Sequence, residues 1–94
     1  MNEKDELKTQ IAKHTLKMTK AISKTRLIMK DKGFRELHES AIAYYKDSKH
    51  FFMKKKYVQS FEALMISWAY LDAGLKLGVF ELTDESMKDY FTNE

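Results

Sequence analysis

Apolar side chains recur from Leu7 through Ile11, Met18, Ile22 and Ile28 or Met29 in steps of three and four, with Ala21 and Thr25 between them. Such spacing lines one side of an α-helix and predicts a first helix over about residues 3–30. Glu3, Asp5 and Glu6 at its start and Lys30 at its end suit the helix dipole, and Gly33 in Asp31-Lys32-Gly33 is placed to end it in the left-handed conformation. A second stripe, His38, Ala41, Tyr45, Ser48 and Phe52, flanked by Leu37, Tyr44 and Phe51, predicts a helix over about residues 34–53. The third helix, over about residues 57–77, carries Tyr57, Phe61, Leu64, Trp68, Leu71 and Leu75 in strict alternation of four and three. Beside that row runs another, Ala63, Ile66, Tyr70, Ala73 and Leu77, so this helix is apolar on two faces and should be central.

No glycine or proline separates the second and third helices, but their phases do. Continued past Phe52, the second stripe lands on Lys55, Gln59 and Glu62; traced backwards, the third meets Lys54, His50 and Asp47. A turn at Lys54–Lys56 accounts for this, and its lysines suit a helix C-terminus. Gly78 reads as a C-cap with Val79 and Phe80 packing back. Within the tail, residues 79–94, Thr83 reads as an N-cap and Met87, Tyr90 and Phe91 as the apolar side of a short amphipathic helix. The pattern therefore predicts an all-α fold in one domain over residues 1–94. It is a three-helix bundle built on an αα-hairpin of the second and third helices, with a short C-terminal helix.

Composition narrows the chemistry. The chain has 94 residues, 44% hydrophobic and 33% charged, enough for one core. It has no proline, three glycines and no cysteine, which favours long helices and excludes disulfides, thiolate nucleophiles and Cys-ligated zinc. The charged start, Met1 to Glu6, lacks the apolar region of a signal peptide and reads as cytoplasmic. The longest uncharged run, Ala63 to Leu71, is far short of the ~20 residues that span a bilayer, so no membrane role is expected.

Charge is divided along the chain. Residues 1–56 hold fifteen Lys and Arg against seven acids, and residues 57–94 hold two against seven. Lys13, Lys17, Lys20 and Lys24 fall on one side of the first helix, either as a phosphate-binding stripe or as a solvated outer face. Asp47 and His50 have a spacing that puts a carboxylate and an imidazole on one helix face, but helical di-metal sites need two Glu-x-x-His motifs and further carboxylates. No metal or other cofactor is expected. Antiparallel pairing about the Lys54–Lys56 turn sets His38 beside Asp72, where they would form a structural ion pair across the hairpin. Tyr44, Tyr45, Asp47, His50, Trp68 and Asp72 make the candidate interaction face. No nucleophile with a positioned base, Walker pattern or dinucleotide glycine pattern is present, so enzymatic activity is not expected.

Two resemblances bear on this. The segment from Ala43 to Phe52, with Tyr57 to Ala63 and Trp68 to Phe80, resembles the archaeal family known as domain of unknown function 357. The Tyr-Tyr, His-Phe, Phe-Glu-Ala and Asp-Ala-Gly elements carry the likeness. It implies a small helical bundle and no assigned activity, and it leaves the first helix outside. Members of that family usually place Gly-Asp in the hairpin turn, where this chain has Lys55 and Lys56. The hairpin is also similar, more faintly, to HEPN helical domains, but Arg26 and Arg35 are followed five positions later by Asp31 and Ser40 rather than by the histidine of the nuclease members. The expectation is a non-enzymatic helical module that docks onto a protein partner or itself through the hairpin. The alternative is an RNA or nucleotide-phosphate binder using the four lysines of the first helix.

Overall fold

The computed structural model describes residues 2–28 and 31–84, and the short C-terminal helix expected from Met87, Tyr90 and Phe91 lies outside them. Its elements, in order, are α1 (Glu3–Ser23), β1 (Thr25–Leu27), α2 (Lys32–Met53), α3 (Tyr57–Lys76) and β2 (Phe80–Leu82). It is mostly α-helical, with one two-stranded antiparallel sheet. The side chain of Asn2 accepts the Asp5 amide at 2.8 Å and Asp31 Oδ1 accepts the Gly33 amide at 2.9 Å, so α1 and α2 each start on a side-chain cap.

The first helix is shorter than its periodicity predicts. It stops at Ser23, and the next residues form β1, with Thr25 opposite Leu82, Arg26 opposite Glu81 and Leu27 opposite Phe80. Thr25 and Ile28 fit helical spacing by position alone, while their β-branched side chains suit a strand once a partner segment is at hand. Arg26 and Glu81 pair across the ladder. The ladder extends at both ends: the Ile28 amide donates to Val79 O at 2.8 Å and the Thr83 amide to Lys24 O at 2.7 Å. Gly33 does not end a helix; it lies in the first turn of α2, behind the Asp31 cap.

One C-terminal motif closes both α2 and α3. After α2, the Lys56 amide reaches Phe51 O at 2.9 Å and the Lys55 amide reaches Phe52 O at 3.0 Å; after α3, the Val79 amide reaches Gly74 O at 3.0 Å and the Gly78 amide Leu75 O at 3.2 Å. These are the paired bonds of a Schellman motif, which needs one residue in the left-handed region. Gly78 supplies it at φ 76°, and Lys55, a residue with a Cβ, supplies it at φ 60°.

The α2–α3 hairpin is closely packed, and polar atoms lie at its centre. Ser48 Oγ donates to Ser60 O at 2.7 Å, Ser60 Oγ donates to Ser48 O at 2.8 Å, and Ser67 Oγ donates to Ala41 O at 2.6 Å. All three serines are essentially without solvent contact, as is Ala41. Around them the core is built from Ile11, Met18 and Ala21 of α1, Leu64 and Leu71 of α3, and Val79 and Phe80 at the end of the bundle. α3 is central, as its two apolar faces imply, with α2 along one side and α1 against another. Gly74 makes room for Phe80 rather than for a helix: a Cβ there would collide with the Phe80 ring.

The left-handed lysine gives the first prediction. An L-residue held there costs about 1–2 kcal/mol, and glycine returns part of that as unfolded-state entropy. Lys55→Gly should therefore raise the unfolding free energy by about 0.5–1 kcal/mol, measured by urea denaturation at unchanged slope.

Candidate functional site

α1 leans on α3 and meets α2 at few points, so an apolar groove runs along the α1–α2 seam. Its volume is about 450 Å³. Ile11, Ala12, Thr15 and Leu16 line it from α1, and Phe52, Met53 and the Lys49 stem from α2. Ile11 is buried at the floor, while Leu16 and Met53 are 63% and 82% exposed. Two large apolar side chains on facing helices thus stand in water beside a concave apolar surface. A hydrogen-bonded pair bounds the groove toward the C-terminal end of α1. The Thr19 hydroxyl donates to Thr15 O at 2.9 Å, which leaves the Tyr45 hydroxyl to donate to Thr19 Oγ1 at 2.6 Å. The Lys49 ammonium sits 5.1 Å from the Tyr45 ring centroid, a cation–π contact on the α2 side.

The six residues of the expected interaction face do not share one surface. Tyr45 turns toward α1 and lines the groove, whereas Tyr44, one residue earlier, stacks on Tyr70 of α3 at 5.8 Å. Asp47 and His50 are exposed, and Trp68 is half-buried against the core. Asp72 pairs with Lys76 one turn later on its own helix at 2.9 Å. The expected His38–Asp72 pair is not made. His38 instead packs edge-on against Phe80 at 5.2 Å, and His38 Nε2 and Asp72 Oδ1 are both buried without a hydrogen-bond partner. The register explains this. Ser48 lies level with Ser60 and Ala41 with Ser67, two residues short of the alignment that faces His38 with Asp72. A two-residue shift turns a side chain by about 200° around its helix.

Among the described residues no group of three or more His, Cys, Asp or Glu converges as a metal site, and no helix is long and apolar enough to cross a membrane. Lys13, Lys20 and Lys24 are exposed and Lys17 is half-buried. Their stripe faces away from Ile11 and Met18, outside the groove. The groove itself was not singled out from sequence. Its only advance signal was Leu16, a large apolar residue off the α1 stripe.

Comparison with known proteins gives a family and a fold. Residues 8–80 match the family model described as a protein of unknown function, DUF357. The match reaches back over most of α1, further than the segments that carry the sequence resemblance. A crystal structure of an Archaeoglobus fulgidus protein of that family is similar at 27% sequence identity and a TM-score of 0.76, covering 87% of this chain and 100% of that one. No curated protein matches the chain.

His14, on the side of α1 away from the groove, carries a pH dependence. Burial, then the charges of Lys17 and Lys13, hold its imidazole below the ordinary value of 6.5. The unfolded chain therefore takes up this proton first as pH falls. His14's contribution is complete above about pH 6.5 and is lost as pH drops toward the lowered native value. Urea midpoints at about pH 7.5 and about pH 5 should differ more in the native chain than in His14→Gln.

Proposed function

Since the chain belongs to the DUF357 family, whose description assigns no activity, we propose that it is a cytoplasmic, non-enzymatic docking module whose α1–α2 groove receives an amphipathic segment of a protein partner. The observation that carries this reading is the groove itself: an apolar concavity of about 450 Å³ with Leu16 and Met53 held out at its edges. A helix laid in a groove is a recurring mode of peptide recognition, in which apolar residues at i, i+3, i+4 and i+7 supply the contact. The groove's surroundings select the charge of the segment. Lys49 lines the groove on the α2 side and Lys46 lies one turn before it on the same helix, both exposed. A partner with acidic residues beside its apolar stripe is favoured over a basic one. The surface expected from sequence, the hairpin, is thereby narrowed to one of its helices and shared with α1.

A second reading has its own observation. Lys13, Lys20 and Lys24 stand exposed along the outer side of α1, a geometry that can follow the phosphates of an RNA strand. The two readings use different sides of α1, so one titration format separates them.

A synthetic peptide with Leu at i, i+3, i+4 and i+7 and Glu elsewhere is the first probe. Titrated into isotope-labelled protein, it should shift the amides of Ala12, Thr15 and Lys49 and the Met53 methyl. Leu16→Glu with Met53→Glu should weaken it at least about tenfold. A peptide that leaves these signals unmoved contradicts the groove reading. A short RNA that shifts the Lys13–Lys24 amides, with a response that fades steeply between ~50 and ~200 mM salt, would put the second reading first.

A further inference from the structure

We infer that the chain forms a twofold dimer in which the outer face of α3 packs antiparallel against the same face of a second copy. Ala69 lies on the axis, and Glu62 of each copy stands beside Lys76 of the other. The inference does not rest on the groove, which lies on the other side of the bundle.

Part of the second apolar row of α3 stays in water. α3 meets α2 through Ser60 and Ser67, and reaches α1 through Ser67 and Tyr57. Val58, Glu62, Ile66, Ala69, Ala73 and Leu77 fall within about 100° on the opposite side of the helix. All six are exposed, Val58 by 61% and Leu77 by 68%. Single exposed apolar side chains are ordinary, but a row of them running the length of a helix marks a contact surface.

Charge decides where two copies can meet. Residues 1–56, with fifteen Lys and Arg against seven acids, repel their like, which holds two copies apart at α1 and α2. α3 carries only Glu62, Asp72 and Lys76 and meets itself without that repulsion.

The row is also complementary to itself when reversed. Glu62 and Lys76 stand on either side of Ala69, each about 10.5 Å from it along the helix, so a twofold axis through Ala69 sets each level with the other in the second copy. The same operation brings Ile66, about 4.5 Å before Ala69, close to the level of the small Ala73 of the second copy, about 6 Å after it. Leu77 falls between Glu62 and Val58 of the second copy. Large side chains thus meet small ones and acids meet bases at both ends, as an isologous contact requires. Ala69 against Ala69 lets the helix axes approach to about 8 Å, the short end of helix packing. Lys76 reaches Asp72 on its own helix at 2.9 Å with its side chain half exposed, so the dimer adds a second carboxylate to an existing pair. A foreign helix covers the row only by reproducing this order in reverse, whereas a second copy already has it.

One 20-residue helix per copy, about 30 Å long, makes a contact at the small end of specific interfaces. The dimer is therefore weak, and sedimentation velocity on the intact protein tests it. The native chain should pass from monomer to dimer between ~5 μM and ~500 μM. Glu62→Lys sets cations against cations and Lys76→Glu sets acids against acids, so each variant alone should associate at least about tenfold more weakly. Mixed one to one, the two variants regain both attractions and should form a heterodimer within about threefold of the native affinity. Ala69→Glu, which brings two carboxylates together on the axis, should abolish the dimer without touching either ion pair. All three positions are exposed, and an unchanged circular dichroism spectrum shows that the fold is retained. A native chain that stays monomeric at the highest concentration overturns the inference and leaves the row to a foreign partner. A dimer indifferent to these substitutions also overturns it, since the copies then meet through another surface. So does a mixture of the two charge variants that fails to recover association.

Discussion

Two helices that exchange hydroxyl-to-carbonyl hydrogen bonds through a solvent-free contact have little freedom to slide. Ser48 and Ser60 each donate to the other's backbone oxygen, and Ser67 donates to Ala41, all within an interface of small side chains. Such close approach requires Ser and Ala where Leu or Phe would hold the helices apart. Sliding α2 along α3 by one residue would leave three buried hydroxyls without acceptors, at about 1–3 kcal/mol each. The register of the hairpin therefore rests on polar atoms, while apolar burial at Leu64 and Leu71 supplies the general attraction. The rest of the arrangement follows from that contact. With α2 committed to α3, α1 finds its apolar stripe answered by α3, where Met18 comes within 3.7 Å of Ser67. α2 keeps only a loose edge toward α1, and that edge is the groove.

The sequence made the helices and the break between α2 and α3 legible, because each depends on local periodicity. The phase shift at Lys54–Lys56 marks a real turn, where Lys55 takes the left-handed conformation at φ 60°. Gly78 was readable for the same reason: its cap is a local motif. The strands were not legible. Residues 25–28 fit a helical stripe as well as a strand, and only Phe80–Leu82, more than fifty residues away, decides between them. Non-local pairing leaves no periodic trace when each strand has three residues.

The site was harder to read than the fold. Tyr44 and Tyr45 are neighbours in sequence and lie on different sides of α2, so an aromatic concentration in the chain became two separate contacts. Ser48 was visible as a member of the α2 stripe, but its partner was not, since nothing in a pattern of apolar positions says that one serine will face another. Missing that lock also misplaced His38 relative to Asp72, because two residues of register decide which side chains meet. The groove is a negative feature, a place where α1 and α2 fail to close, and it follows from the tightness of α2 on α3 rather than from any motif.

A double-mutant cycle on Ser48→Ala and Ser60→Ala, followed by urea unfolding, tests the hydroxyl lock most directly. If the two serines fix the hairpin together, the pair should show a coupling energy of about 0.5–1.5 kcal/mol, with the single substitutions each destabilising. Effects that add to within about 0.3 kcal/mol would mean the hydroxyls act independently, and the register would have to be set by apolar packing alone.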